Sequence, residues 1–163
     1  MRLAIMTVVL SLVLLGAGCL ENPPQFWSLG QELADQKPAE EAEVDLSGRG
    51  LRELPTGLLQ REGITSLDLS DNALGSLPAE IWRLRSLRTL DLSGNQLTGL
   101  PAELGQLGEL RTLDVSGNQL TGLPYELGQL QNLKTFDLSG NDYSEADLDI
   151  IEVMLPPTVE IRR

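Results

Sequence analysis

The sequence predicts an α/β solenoid, with a parallel sheet of about six short strands on its concave face and short helical or 3₁₀ legs on its convex face. Three observations carry that prediction. A block recurs at a fixed step of 23 residues: ITSLDLSDN at 64–72, LRTLDLSGN at 87–95, LRTLDVSGN at 110–118 and LKTFDLSGN at 133–141. Inside each block apolar and polar residues alternate, which is the period of a half-buried strand. After the first three blocks a Leu-Pro pair (Leu77-Pro78, Leu100-Pro101, Leu123-Pro124) opens a second run of leucines. Leucine supplies 35 of the 163 residues. No block can bury its own leucines, so stacked blocks bury one another's.

The elements follow from the spacing. Leu90 and Leu92 are the inward side chains of one strand. Asn95 stands where the chain turns inward, and its amide can both donate to and accept from backbone groups of adjacent coils. With Asn72, Asn118 and Asn141 it forms a structural asparagine ladder. Leu97 and Leu100 continue the core. Pro101 fixes φ at about −65° and starts a leg at a position that tolerates a missing N–H. Leu104 and Leu107 bury that leg against the strands. One step back, Val44, Leu46, Leu51, Leu54 and Pro55 make a degraded first repeat, with Arg49 in the asparagine position. One step forward, Val159 and Ile161 predict a final strand.

The C-terminal end departs from the pattern. Ser144-Glu145-Ala146-Asp147 reads as a capping box with Asp in place of Glu. Leu148, Ile150, Ile151, Met154 and Leu155 then recur at helical spacing until Pro156-Pro157 stops the helix. A longer helix and a terminal strand therefore close this end of the solenoid.

The pattern LxxLxLxxNxLxxLPxxLxxL, running over 41–155, resembles that of leucine-rich-repeat proteins. The resemblance implies a right-handed horseshoe with repeats at 41–63, 64–86, 87–109, 110–132 and 133–155, and a cap strand at 156–163. It also implies protein–protein recognition through the concave face, without enzymatic activity.

The first residues belong to export rather than to the fold. Arg2 precedes an uncharged apolar run from Leu3 to Leu15, too short for a membrane-spanning helix of about 20 residues. The junction Leu15-Gly16-Ala17-Gly18-Cys19 resembles the lipobox of bacterial lipoproteins. That resemblance implies a signal peptide at 1–18, cleavage before Cys19 and lipidation of Cys19, so that the protein is held to a membrane of the bacterial cell envelope. Leu20 lies where inner-membrane lipoproteins often carry Asp, which slightly favours the outer membrane, facing periplasm or cell surface. An ordinary secretory signal, with Cys19 a bystander, is the alternative. Residues 19–40 read as a tether interrupted by Pro23-Pro24. Within it Phe26, Trp27, Leu29 and Leu33 read as an N-terminal cap over the open first repeat, with a docking segment for a partner or a disordered stretch as the alternatives.

Composition closes several functional classes. The chain has no His, so it has neither a Ser-His-Asp nor a Cys-His pair and no imidazole metal ligand. One Cys makes neither an internal disulfide nor a zinc cluster. No cofactor and no metal site is predicted. Lys and Arg number 12 against 24 Asp and Glu, a net charge of −12, which argues against nucleic acid as a partner.

Function is left to the outward strand positions, which line up in columns. One column is Ser66, Thr89, Thr112, Thr135; the next is Asp45, Asp68, Asp91, Asp114, Asp137, with Glu160 extending it; the third is Ser47, Ser70, Ser93, Ser116, Ser139. Adjacent carboxylates at strand spacing repel by about 1 kcal/mol even in water. Three readings stand: a solvated repeat residue hydrogen-bonded by flanking Ser and Thr hydroxyls, a face that attracts a basic protein surface, or a weak divalent-cation surface. The expected molecule is a monomeric, envelope-tethered binding module for a protein partner; a structural envelope lipoprotein without a ligand is the alternative. Trp82 and the basic cluster Arg61, Arg83, Arg85 and Arg88 are expected on the convex side, the arginines paired with Glu62, Glu80 and Glu109.

Overall fold

The computed structural model describes residues 42–163. The expected signal peptide, Cys19, and the expected tether and cap residues Phe26 to Leu33 lie outside them. Six strands, β1 (Ala42–Asp45), β2 (Ile64–Asp68), β3 (Thr89–Asp91), β4 (Thr112–Asp114), β5 (Thr135–Asp137) and β6 (Glu160–Arg162), form one sheet in chain order. Every neighbouring pair is parallel. Between the strands run 3₁₀ legs η1 (Leu58–Gln60), η2 (Ala79–Arg83), η3 (Ala102–Gln106) and η4 (Tyr125–Gln129), followed by helix α1 (Glu145–Met154). The predicted solenoid of strands and 3₁₀ legs is therefore the fold.

Register explains why one repeat length recurs. Leu67 pairs with Leu90, Leu90 with Leu113 and Leu113 with Phe136, so equivalent side chains stack in the core with no exposure. The ladder continues past each short strand: the Leu69 N–H donates to the Asp91 carbonyl at 2.9 Å and the Asp71 N–H to the Ser93 carbonyl at 2.9 Å. The turn that follows needs left-handed backbone, supplied by Gly94 at φ 64° and, in the repeat before it, by Asp71 at φ 54°.

Pro78, Pro101 and Pro124 sit at the cap position, one residue before their legs, rather than at the first helical position. Each keeps extended φ/ψ, and its carbonyl accepts the N–H three residues on at 3.1 Å. Consecutive legs pack closely. A β-carbon on Gly105 would lie 2.2 Å from the Glu126 carbonyl oxygen, and one on Gly128 would lie 2.6 Å from Met154 Cβ.

The C-terminal end corrects two expectations. The last step is 25 residues, because Phe136 pairs with Ile161 and Asp137 with Arg162. The final leg is an α-helix, which rises less per residue than a 3₁₀ turn and so takes more chain to cover the same distance. Glu160 consequently faces Thr135, and Arg162, not Glu160, stands next to Asp137. The capping box is also only half formed. Ser144 Oγ accepts the Asp147 N–H at 3.4 Å, but Asp147 Oδ2 accepts the Leu123 N–H of the preceding repeat at 3.2 Å. Leu148, Ile151 and Leu155 are buried, whereas Ile150, Val153 and Met154 remain exposed.

Leg packing makes a testable contrast. Gly105→Ala forces a methyl against a backbone carbonyl and should lower stability by about 1–3 kcal/mol. Gly99→Ala, with nothing within 4 Å of the added carbon, should change it by no more than about 0.5 kcal/mol. Urea unfolding followed by circular dichroism measures both.

Candidate binding face on the strand side

The frame of this face is the asparagine ladder. Asn72, Asn95 and Asn118 are buried and Asn141 is half-buried. Asn95 Nδ2 donates to the carbonyls of Leu92 at 2.9 Å, Leu69 at 3.0 Å and Ser93 at 3.2 Å, while its Oδ1 accepts the Leu74 N–H at 3.0 Å. Asn118 repeats this pattern one coil later. Its Nδ2 donates to the carbonyls of Val115, Leu92 and Ser116, and its Oδ1 accepts the Leu97 N–H. Asn72 Oδ1 takes two N–H groups of the degraded repeat, those of Arg49 at 3.0 Å and Leu51 at 2.9 Å. One amide thus fixes its own turn and the turn before it. Every hydrogen bond these four side chains make among the described residues goes to a backbone group of the scaffold.

On the outward side the aspartates line up as strand partners: Asp45 with Asp68, Asp68 with Asp91, Asp91 with Asp114, Asp114 with Asp137. The serine two residues on orients each carboxylate. Ser93 donates to Asp91 Oδ1 from its N–H at 2.9 Å and from its hydroxyl at 2.6 Å, and Ser70, Ser116 and Ser139 do the same to Asp68, Asp114 and Asp137. Ser47 holds Asp45 in the same way. Both bonds go to Oδ1. The serine column therefore spends its donors on the aspartates. The threonine column, Thr89, Thr112 and Thr135 with Ser66, makes no bond to these carboxylates among the described residues, which corrects the expectation that Thr hydroxyls share that task.

Charge compensation comes from the two ends. Arg162 Nη1 lies 3.7 Å from Asp137 Oδ2, and Arg162 Nε donates to Glu160 Oε1 at 2.9 Å. At the other end Arg49 Nη2 donates to the Asp45 carbonyl at 3.1 Å. The Ser47 hydroxyl, then its N–H, hold the Asp45 carboxyl below its usual value of 3.8, with Arg49 adding to the effect. The ionised form is thus favoured in the folded chain, a preference present above pH 3.8 and lost as pH falls through the lower folded value. Among the described residues no group of three or more His, Cys, Asp or Glu stands close enough to hold a metal ion.

The opposite side differs from expectation. No ion pair joins Arg61, Arg83 or Arg85 to Glu62, Glu80 or Glu109 among the described residues. Arg85 and Arg83 instead lie 4.9 Å and 5.8 Å from the centre of the half-buried Trp82 ring.

A family model described as a leucine-rich repeat region matches residues 64–154, the span that holds the ladder and four of the five aspartates. The chain belongs to the leucine-rich-repeat family. Solved structures similar to this leucine-rich-repeat chain include a leucine-rich-repeat protein of Leptospira interrogans, 40% identical over 68% of the chain with a TM-score of 0.63. The BIR3–SERK2 complex of Arabidopsis thaliana is 40% identical over 62% of the chain, with a TM-score of 0.57. The ectodomain of the receptor kinase GASSHO1 from Arabidopsis thaliana, solved with CASPARIAN STRIP INTEGRITY FACTOR 2, is 32% identical over 73%, with a TM-score of 0.60. The chain spans 28%, 56% and 14% of those proteins respectively. No curated protein matches it.

The ladder and the acidic column should separate in a stability experiment. Asn95→Ala leaves buried backbone groups of two coils unpaired and should cost about 1–3 kcal/mol. Asp91→Ala, on the outward face, should stay within about 1 kcal/mol of the parent. Equal losses in thermal unfolding would contradict the division of roles.

Proposed function

We propose that this leucine-rich-repeat protein is a non-enzymatic recognition module that binds a protein partner through its strand face. The observation that carries the reading is the column of five aspartates. Each is turned by a serine so that Oδ1 is occupied within the repeat, which leaves Oδ2 of Asp45, Asp68, Asp91 and Asp114 to meet a partner, while that of Asp137 faces Arg162. A basic protein surface complements such a line of charge. Two of the similar plant proteins were solved in complexes, BIR3 with SERK2 and GASSHO1 with CASPARIAN STRIP INTEGRITY FACTOR 2, which supports partner binding on this scaffold. The face is only about 25 Å long at ordinary strand spacing, so the contact is weak or strengthened by multivalency.

The module acts as a monomer at the cell envelope, tethered through lipidated Cys19, with the outer membrane favoured. The support is the Leu15 to Cys19 junction and the position of the chain's single cysteine within it. Cys19→Ala should abolish incorporation of labelled palmitate and release the protein from the membrane fraction. Label retained in the variant contradicts the anchor.

The triple variant Asp68→Asn, Asp91→Asn, Asp114→Asn tests the face. Binding of the parent to immobilised polylysine should weaken with added salt. The variant should bind at least about tenfold more weakly. A parent that fails to bind, or a variant that binds equally well, removes the acidic face from the proposal.

A further inference from the structure

The leg side of the second repeat breaks the pattern that the rest of the solenoid keeps. In the third and fourth repeats the corresponding leg positions are Gly105, Gln106, Gly108 and Gly128, Gln129, Gln131; in the second they are Trp82, Arg83, Arg85. Where the later legs stack on glycine and exclude even a β-carbon at Gly105, the half-buried Trp82 lines a hollow with Leu59 of η1, beside the degraded first repeat. Arg83 and Arg85 are exposed and have no basic counterpart in the later repeats.

The departure brings positive charge to one spot. Arg61, from the chain after η1, lines the same concavity as Arg83 and Arg85, together with Glu62, and the concavity has a volume of about 340 Å³. An adjoining concavity is lined by Trp82, Leu59 and again Arg61 and Arg83. Three arginines and a single carboxylate thus line one concavity on a chain of net charge −12. None of the three is in an ion pair among the described residues. The Trp82 ring braces two of them, at 4.9 Å and 5.8 Å, which reduces the freedom they lose on meeting a ligand.

We propose that this concavity is an anion site that takes a phosphate-bearing group. Arginine's planar fork matches phosphate oxygens in pairs, and weakly hydrated guanidinium groups give up water more readily than an ammonium would. The strand face, with its aspartates, belongs to a different set of residues, so the two sites fail or succeed independently. The phosphate is either soluble or part of a lipid headgroup, and the chemistry at the protein is shared.

The test is titration of the purified full chain with inorganic phosphate, read from the arginine Nε–H resonances. Arg61, Arg83 and Arg85 should shift together and saturate in the millimolar range. Arg83→Gln/Arg85→Gln should weaken binding by about tenfold, with an unchanged melting curve because both side chains are exposed. Asp91→Asn should leave phosphate binding as it was. Flotation of the chain carrying Cys19→Ala, which removes the proposed anchor, with vesicles of phosphatidylcholine alone, or with added phosphatidylglycerol, then identifies the source. Stronger flotation on the anionic vesicles, lost in the double variant, supports the site with a headgroup as ligand; equal flotation beside the phosphate shift supports it with a soluble ligand. Absence of a saturable shift, or the same affinity in the double variant, overturns the site.

Discussion

From the second coil to the fifth, each coil of this molecule turns inward over one asparagine amide, and that amide bonds to two coils at once. Asn95 donates to the carbonyls of Leu92 and Leu69 and accepts from Leu74, so it satisfies backbone groups that the turn would otherwise bury unpaired. The leucines supply the driving force for stacking, but burial has no direction. The amide supplies direction: it fixes which residue of one coil meets which residue of the next, and the register Leu67, Leu90, Leu113, Phe136 follows. A side chain with one donor group and one acceptor of the right reach is needed, which is why a serine or a leucine does not replace it.

That register is also what turns a residue repeated once per coil into a continuous surface column. An aspartate placed once per coil becomes a line of carboxylates only because every coil holds the same alignment. The line opposes itself electrostatically, and the molecule manages this in two ways. A serine two residues on gives each carboxylate two hydrogen bonds, and arginines stand at the ends, Arg49 beside Asp45 and Arg162 beside Asp137. In the middle of the line Asp68, Asp91 and Asp114 are in no ion pair among the described residues, although the Arg162 charge also acts on Asp114. The legs of the later repeats pack on glycine, whereas the second repeat carries Trp82 and its arginines at the same positions.

The sequence was most legible where the period holds and least where it changes. The strands, the core leucines and the columns of Asp, Ser and Asn could all be counted from a constant step of 23. The column end could not. Replacing a 3₁₀ leg by α1 adds two residues to the last step, so counting by 23 put Glu160 where Arg162 stands; the helical spacing of Leu148 and Ile151 was the signal that the leg had lengthened. Asp147 was read as a local capping residue, but its carboxylate reaches the Leu123 N–H, a contact made by stacking and invisible to a four-residue motif. The arginines near Trp82 were matched to carboxylates by proximity in sequence. An aromatic face holds two of them, Arg83 and Arg85, instead, since exposed ion pairs gain little in water and a ring offers a partner at hand.

Removing one whole coil tests the central claim most directly. Excision of residues 87–109 sets 64–86 against 110–132, whose buried positions nearly duplicate those removed. Nearest-neighbour stacking predicts that the shortened chain keeps a single cooperative thermal transition by circular dichroism, whereas excision of 87–98, which removes a strand and leaves its leg, abolishes it. A chain without 87–109 that shows no cooperative transition, or a half-coil deletion that melts like the parent, would contradict the account.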